Sequence, residues 1–223
     1  MLFGLYVLLT FLTLVLAAAV SRSGGRQLWF SLLVLGWIVS QLNTLLEAVV
    51  FSVMPWTHAA IQLAISLVVL ALLAALAVLV VGRWRRRSVE PPPLDKSLGT
   101  LGLIILAYEA LYWTAGTFVW PFVADFYADK PLPPVLAVIA LQVPRSLIFV
   151  AAAWPWLRTS PRFAPFVLGF AFAMIGGIAP LLPDNPYMTA SARLAHGIET
   201  GSSNFLFGIF VAWILTRKKR SRG

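Results

Sequence analysis

The chain has 223 residues, 60% of them hydrophobic and only 11% charged, with a formal net charge of +9. A soluble domain carries about 25% charged residues, so this composition excludes a water-coated globule and points to a polytopic membrane protein. With no cysteine and only two histidines, the chain can form no disulfide, iron–sulfur cluster, catalytic thiolate or three-histidine metal site.

A helix crossing about 30 Å of hydrocarbon needs roughly 20 apolar residues. Seven runs meet that need: 1–20, 27–54, 59–82, 99–123, 133–157, 163–182 and 188–215. They are rich in Leu, Val, Ala, Ile and Phe and lack the alternation of a barrel strand. A spanning segment must satisfy its own backbone, so the expected fold is all-α, a seven-helix membrane bundle forming a single domain over 1–223.

No basic residue precedes the first run, which therefore reads as a retained span rather than a signal peptide. On the second, Asn43 and Glu47 share a face at i, i+4. The connection 83–98 contains Pro91, Pro92 and Pro93 and reads as a joint between a three-helix and a four-helix half. Tyr108, Glu109, Tyr112 and Trp113 give the fourth run an aromatic and acidic patch. On the fifth, Gln142 and Arg145 share a face, and Pro144 loosens the helix just before Arg145. On the seventh, Arg193, His196, Glu199, Thr200, Ser203 and Asn204 fall within about 140° of arc, at about 100° per residue. Gly197, Gly201 and Gly208 allow a neighbouring helix to approach that span closely. Tyr6, Trp29, Trp56, Trp120, Trp154, Trp156 and Trp213 sit near run ends, as interface anchors do.

Basic residues set the orientation. When connections are assigned alternately to two sides, one side receives every Lys and Arg except Lys130, Arg145 and Arg193. This bias places the N-terminus outside and the C-terminus in the cytoplasm, with the loop 83–98 and the basic tail 216–223 on the cytoplasmic side. It also accounts for the positive charge through anionic lipid headgroups, with no role for nucleic acid.

Ionisable groups inside spans cost about 2.5–3.5 kcal/mol or more near a helix centre. Here they are Glu47, Glu109, Arg145, Arg193 and Glu199, with His196 beside them. All six fall between the midplane and the outer surface, where they could pair and line one outward-facing cavity. The expected roles are proton handling by His196, Glu199, Glu109 and Glu47, and ligand binding by Arg145, Arg193, Asn43, Asn204, Tyr108, Tyr112 and Gln142. The expected ligand is a small or lipid-like anion.

Other chemistries have weaker support. All four lysines lie outside the runs, which argues against a retinal Schiff base. No dedicated metal site is expected; His196-x-x-Glu199 shares a face, and His58 could add a nitrogen, but two residues at that spacing are a weak signal. Ser202 and Ser203 lie in no nucleophile motif. A membrane enzyme, a proton-coupled transporter and a structural or partner-binding ion-pair network all remain open, as does the oligomeric state.

The blocks Tyr108-Glu109-Ala110-Leu111-Tyr112-Trp113-Thr114-Ala115-Gly116 and Arg193-Leu194-Ala195-His196-Gly197-Ile198-Glu199, followed by Ser203-Asn204-Phe205, resemble a group of uncharacterised bacterial multi-span integral membrane proteins. The resemblance runs from the fourth span to the end and implies a bacterial cell membrane, with no activity attached. The paired-glutamate motif of glutamic intramembrane proteases is absent, and the histidine count excludes ceramidase-like hydrolases.

Overall fold

Each apolar run folds as a helix in the computed structural model, which describes residues 2–184 and 186–217. Lys218, Lys219, Arg220 and Arg222 of the expected basic tail lie outside the described residues. The helices are α1 Leu2–Val20, α2 Gly25–Val50, α3 Trp56–Val80, α4 Leu98–Tyr127, α5 Val135–Leu157, α6 Ala164–Leu181 and α7 Ala190–Thr216. All seven are long and apolar enough to cross a membrane, the pattern of a multi-pass membrane protein.

Two ends differ most from the hydropathy boundaries. α2 stops at Val50 rather than 54, because Ser52 takes a positive φ of 56° and the Val53 amide turns back to the Ala48 carbonyl at 2.8 Å. α4 continues past 123 to Tyr127, carrying Pro121 and Asp125 within the helix. Starts follow local chemistry: the Ser97 hydroxyl accepts from the Thr100 amide before α4, and Thr189 caps α7 through the Ala192 amide.

The helices pack in the cyclic order α1, α3, α2, α5, α4, α7, α6 and back to α1. In this order α1, α2 and α3 are neighbours, and so are α4, α5, α6 and α7, with the connection 83–98 joining the two groups. The connection 83–98 is tied down as well. The Val89 amide donates to Ser23 Oγ at 2.9 Å and the Asp95 amide to the Leu215 carbonyl at 2.9 Å, so the segment crosses the end of the bundle. Arg83 donates to the carbonyls of Ala19 and Ser21 at the same end. Burial and the nearby Arg86 and Arg162 push the Arg83 pKa below its ordinary value.

Arg22, Arg26, Arg83, Arg85, Arg86, Arg87, Lys96, Arg158, Arg162 and Arg217 all sit at or beside this arginine-rich end. Lys130 lies in a connection at the opposite end. One expected interface anchor is instead internal: Trp156 is fully buried and donates to the Ala17 carbonyl at 3.1 Å, while Trp29 is half-buried and donates to the Ala71 carbonyl at 3.0 Å.

α6 is the most enclosed helix, and small residues make that possible. A Cβ on Gly208 of α7 would come within 2.7 Å of the Gly169 Cα and of the Leu168 carbonyl on α6. Gly208→Ala is therefore expected to force α6 and α7 apart and cost about 1–3 kcal/mol, read as a lower unfolding midpoint in detergent. An unchanged midpoint would mean that the two backbones are not in tight contact.

Both α2 and α6 contain a π-helical turn, at Ile38–Leu42 and Met174–Ile178. The two turns abut, since a Cβ on Gly176 would lie 2.6 Å from Val39 Cγ1. Such turns insert one residue into the helical phase and are frequent at functional sites.

Candidate functional site

A cavity of about 550 Å³ lies toward the end opposite the arginines. Its wall comes from α2, α4, α5, α6 and α7, with Phe51, Leu132, Pro133 and Met188 contributed by the connections at that end. Below it, Tyr108, Phe149, Phe172 and Phe207 form a buried aromatic plug, with neighbouring ring centroids 4.6–5.6 Å apart. These rings belong to α4, α5, α6 and α7, so one layer closes the cavity toward the arginine-rich end.

Two polar clusters face the cavity. The first is built on Arg145, whose side chain is only 5% exposed. Its Nη1 donates to Glu47 Oε1 at 2.7 Å and to Gln142 Oε1 at 2.8 Å, and its Nε donates to Asn43 Oδ1 at 3.2 Å. The guanidinium carbon is 5.7 and 5.8 Å from the Tyr108 and Tyr112 ring centroids. One cation thus joins α2, α4 and α5, and its charge is matched by Glu47. Asn43 and Gln142 are buried supports of this guanidinium and do not line the cavity.

The second cluster is a chain of three side chains. Glu199 Oε2 is 2.8 Å from His196 Nδ1, and His196 Nε2 is 3.1 Å from the Tyr127 hydroxyl. An ionised carboxylate only accepts, so Nδ1 donates to Glu199; in the neutral ring Nε2 then accepts from Tyr127. Tyr127 stacks on Trp120 with centroids 6.0 Å apart and planes 14° from parallel. Glu199 Oε1 lies against Gly116, where a Cβ would be 3.4 Å away.

Several expected site residues converge as the spacing implied. Glu47, Tyr108, Tyr112, Arg145, His196, Glu199 and Asn204 all line the cavity, and Asn204 Nδ2 also donates to the Gly176 carbonyl at 3.2 Å. Two do not. Arg193 turns away, pairs with Asp184 and donates to the Met188 carbonyl at 3.0 Å. It borders a separate hollow with Leu2, Ile178, Gly197 and Gly201. Its position in the first turn of α7 and its long side chain let it reach the preceding connection instead. Glu109 lies a residue off the Tyr108 and Tyr112 face; its Oε2 accepts from Trp113 Nε1 at 3.0 Å, and its Oε1 is buried without a hydrogen-bond partner.

The sequence reading missed Tyr127 and Trp120 as site residues and gave α6 no part in the cavity, although Gly176, Gly177 and Pro180 line it. Extending the fourth helix beyond Pro121 would have placed Tyr127 two turns after Trp120 on one face.

His58 does not join this site; its Nδ1 is 2.6 Å from the Tyr187 hydroxyl. Among the described residues no group of three or more His, Asp and Glu is placed to hold a metal ion. Ser202 Oγ and Ser203 Oγ donate to backbone carbonyls of their own helix, at 2.7 Å to Ile198 and to Glu199 respectively. Comparison with protein-family models, curated proteins and solved structures found no match to this chain.

Proposed function

We propose that the chain is a protein of a bacterial inner membrane, with its N-terminus outside, its C-terminus in the cytoplasm and its cavity open to the outer side. In this reading the cavity binds a small or lipid-like molecule, and the chain Tyr127, His196 and Glu199 exchanges a proton with it. The observation that carries the reading is this hydrogen-bonded trio on the wall of a mostly apolar cavity. A volume of about 550 Å³ falls within the range of small-molecule sites. Histidine held between an acceptor and a hydroxyl is a recurrent acid–base device. Orientation rests on the basic residues at one end, and the bacterial membrane on the resemblance of the 108–116 and 193–199 blocks.

The two clusters divide the labour. Arg145 is held through Nη1 and Nε by Glu47, Asn43 and Gln142, so it serves as a lock between helices. The His196 cluster is the chemical one. The expectation of an anionic ligand rests on Arg145 and Arg193 together. With Arg193 paired to Asp184 and Arg145 to Glu47, the ligand is a small or lipid-like molecule without a negative charge.

The aromatic plug leaves access from one side, which suits a membrane enzyme or a ligand-binding protein. A proton-coupled transporter is the second reading. It is favoured by the two π turns beside the cavity, where helices can change register and part the plug.

Native mass spectrometry tests the proposal. Wild type is compared with Ala48→Trp, which puts a large ring into the cavity from α2 and leaves the residues of both polar clusters in place. An adduct held by wild type and lost in the variant is the expected result. An adduct retained by both would place the molecule on the outer surface. Bare masses in both would favour a packed ion-pair network.

A further inference from the structure

The charge and ring content of the cavity wall specify what kind of head group it takes. Its ionisable residues include two carboxylates, Glu47 and Glu199, against one guanidinium, Arg145. Within the Glu47–Arg145 pair the carboxylate is the more accessible partner, 26% exposed against 5%. An incoming anion therefore meets Glu47 before it meets Arg145. The guanidinium carbon also lies over the Tyr108 and Tyr112 rings, 5.7 and 5.8 Å from their centroids. The wall thus holds two carboxylates against one guanidinium, with the His196 ring hydrogen-bonded to Glu199.

Aromatic rings complete the picture. Phe51, Tyr112, Trp113, Trp120 and Tyr127 all line the cavity, and Phe51 and Tyr127 approach with centroids 6.3 Å apart. Ring faces attract cations through their quadrupole, tryptophan most strongly, and cages of such rings are a common way to bind alkylated ammonium groups. Most of the remaining lining is apolar, which suits hydrocarbon attached to that head.

We infer that the occupant of the cavity is a lipophilic monocation of the organic ammonium class, its charge held between Glu47 and Glu199 and its apolar part against the Phe51, Trp120 and Tyr127 rings. The inference rests on the proposal that the cavity binds a small or lipid-like molecule and names the chemical class of that molecule.

The test uses three probes of similar shape and different charge: tetraphenylphosphonium, tetraphenylborate and neutral triphenylphosphine oxide. Each is dialysed against the full-length protein in lipid nanodiscs, with empty nanodiscs subtracting partition into lipid. The phosphonium is expected to bind about tenfold more tightly than either other probe, and to lose about tenfold in Glu199→Gln and in Trp120→Ala. Glu47 is left intact because it balances Arg145. The wild-type ranking decides the matter even where a variant fails to fold. Borate binding as tight as phosphonium binding would overturn the inference. Phosphine oxide bound as tightly as phosphonium, and released in Trp120→Ala, would overturn the charge assignment and leave the binding cavity standing. Retention of none of the three would remove both readings.

Discussion

Arg145→Gln is expected to be the most destabilising single substitution in the polar clusters, costing about 3–5 kcal/mol. The guanidinium is almost fully enclosed and supplies three hydrogen bonds, to Glu47, Asn43 and Gln142. Its removal leaves the Glu47 carboxylate without its countercharge and strips a donor from two buried amides. Because Glu47 is partly open to the cavity, it recovers some solvation, which places the expected loss toward the lower end of that range. The measurement is the unfolding midpoint in detergent. The double variant Arg145→Gln with Glu47→Gln removes both charges and should recover much of the loss. If the double variant is no more stable than Arg145→Gln alone, the pair is not what holds α2 to α5. A loss below about 1 kcal/mol, as for an exposed ion pair, would mean that the enclosure is leaky.

The seven helices were legible because a long apolar run has few other places to go. Runs such as Leu2–Val20 and Trp56–Val80 leave no hydrogen-bonding partner for the backbone other than the helix itself. What hydropathy could not see were features that do not alter apolarity. Asp125 lowers the local average and closed the fourth run early, yet the backbone stays helical through it, and Tyr127 was lost from the site as a result. The π turn at Ile38–Leu42 leaves no compositional mark. The shared face of Asn43 and Glu47 survived only because both lie beyond that turn, in continuous α-helix.

The stripe on α7 shows both the strength and the limit of angular reasoning. His196, Glu199, Thr200, Ser203 and Asn204 do line one cavity, as their spacing requires. Arg193 shares their angle and not their surroundings. Near a helix end the side chain can bend back toward the preceding connection, and Asp184 supplies a charge there. Pairing partners were the least legible feature. Charge balance within the spans suggested that the glutamates would satisfy both arginines, whereas Arg193 uses an aspartate outside them.

The sidedness of the cavity carries an all-or-none expectation. The chain has no cysteine, so each introduced cysteine is the sole reactive thiol. Asp129 lies in the connection after α4, at the cavity end, with its side chain 86% exposed. Ser88 is exposed in the connection after α3, at the arginine-rich end. In intact cells a membrane-impermeant maleimide is expected to label Asp129→Cys and to spare Ser88→Cys until the membrane is opened, since loops rich in Lys and Arg remain in the cytoplasm. The reverse pattern would turn the molecule over and place the cavity on the cytoplasmic side. Ser203→Cys then reports on the cavity itself, because Ser203 lies on its wall beside Glu199. It should react from the Asp129 side, and faster with a trimethylammonium methanethiosulfonate than with the sulfonate analogue, since two carboxylates share that wall. Equal rates would remove the electrostatic selection. Reaction from the Ser88 side in sealed inverted vesicles would mean that the aromatic plug opens, and would move the protein from one-sided binding to alternating access.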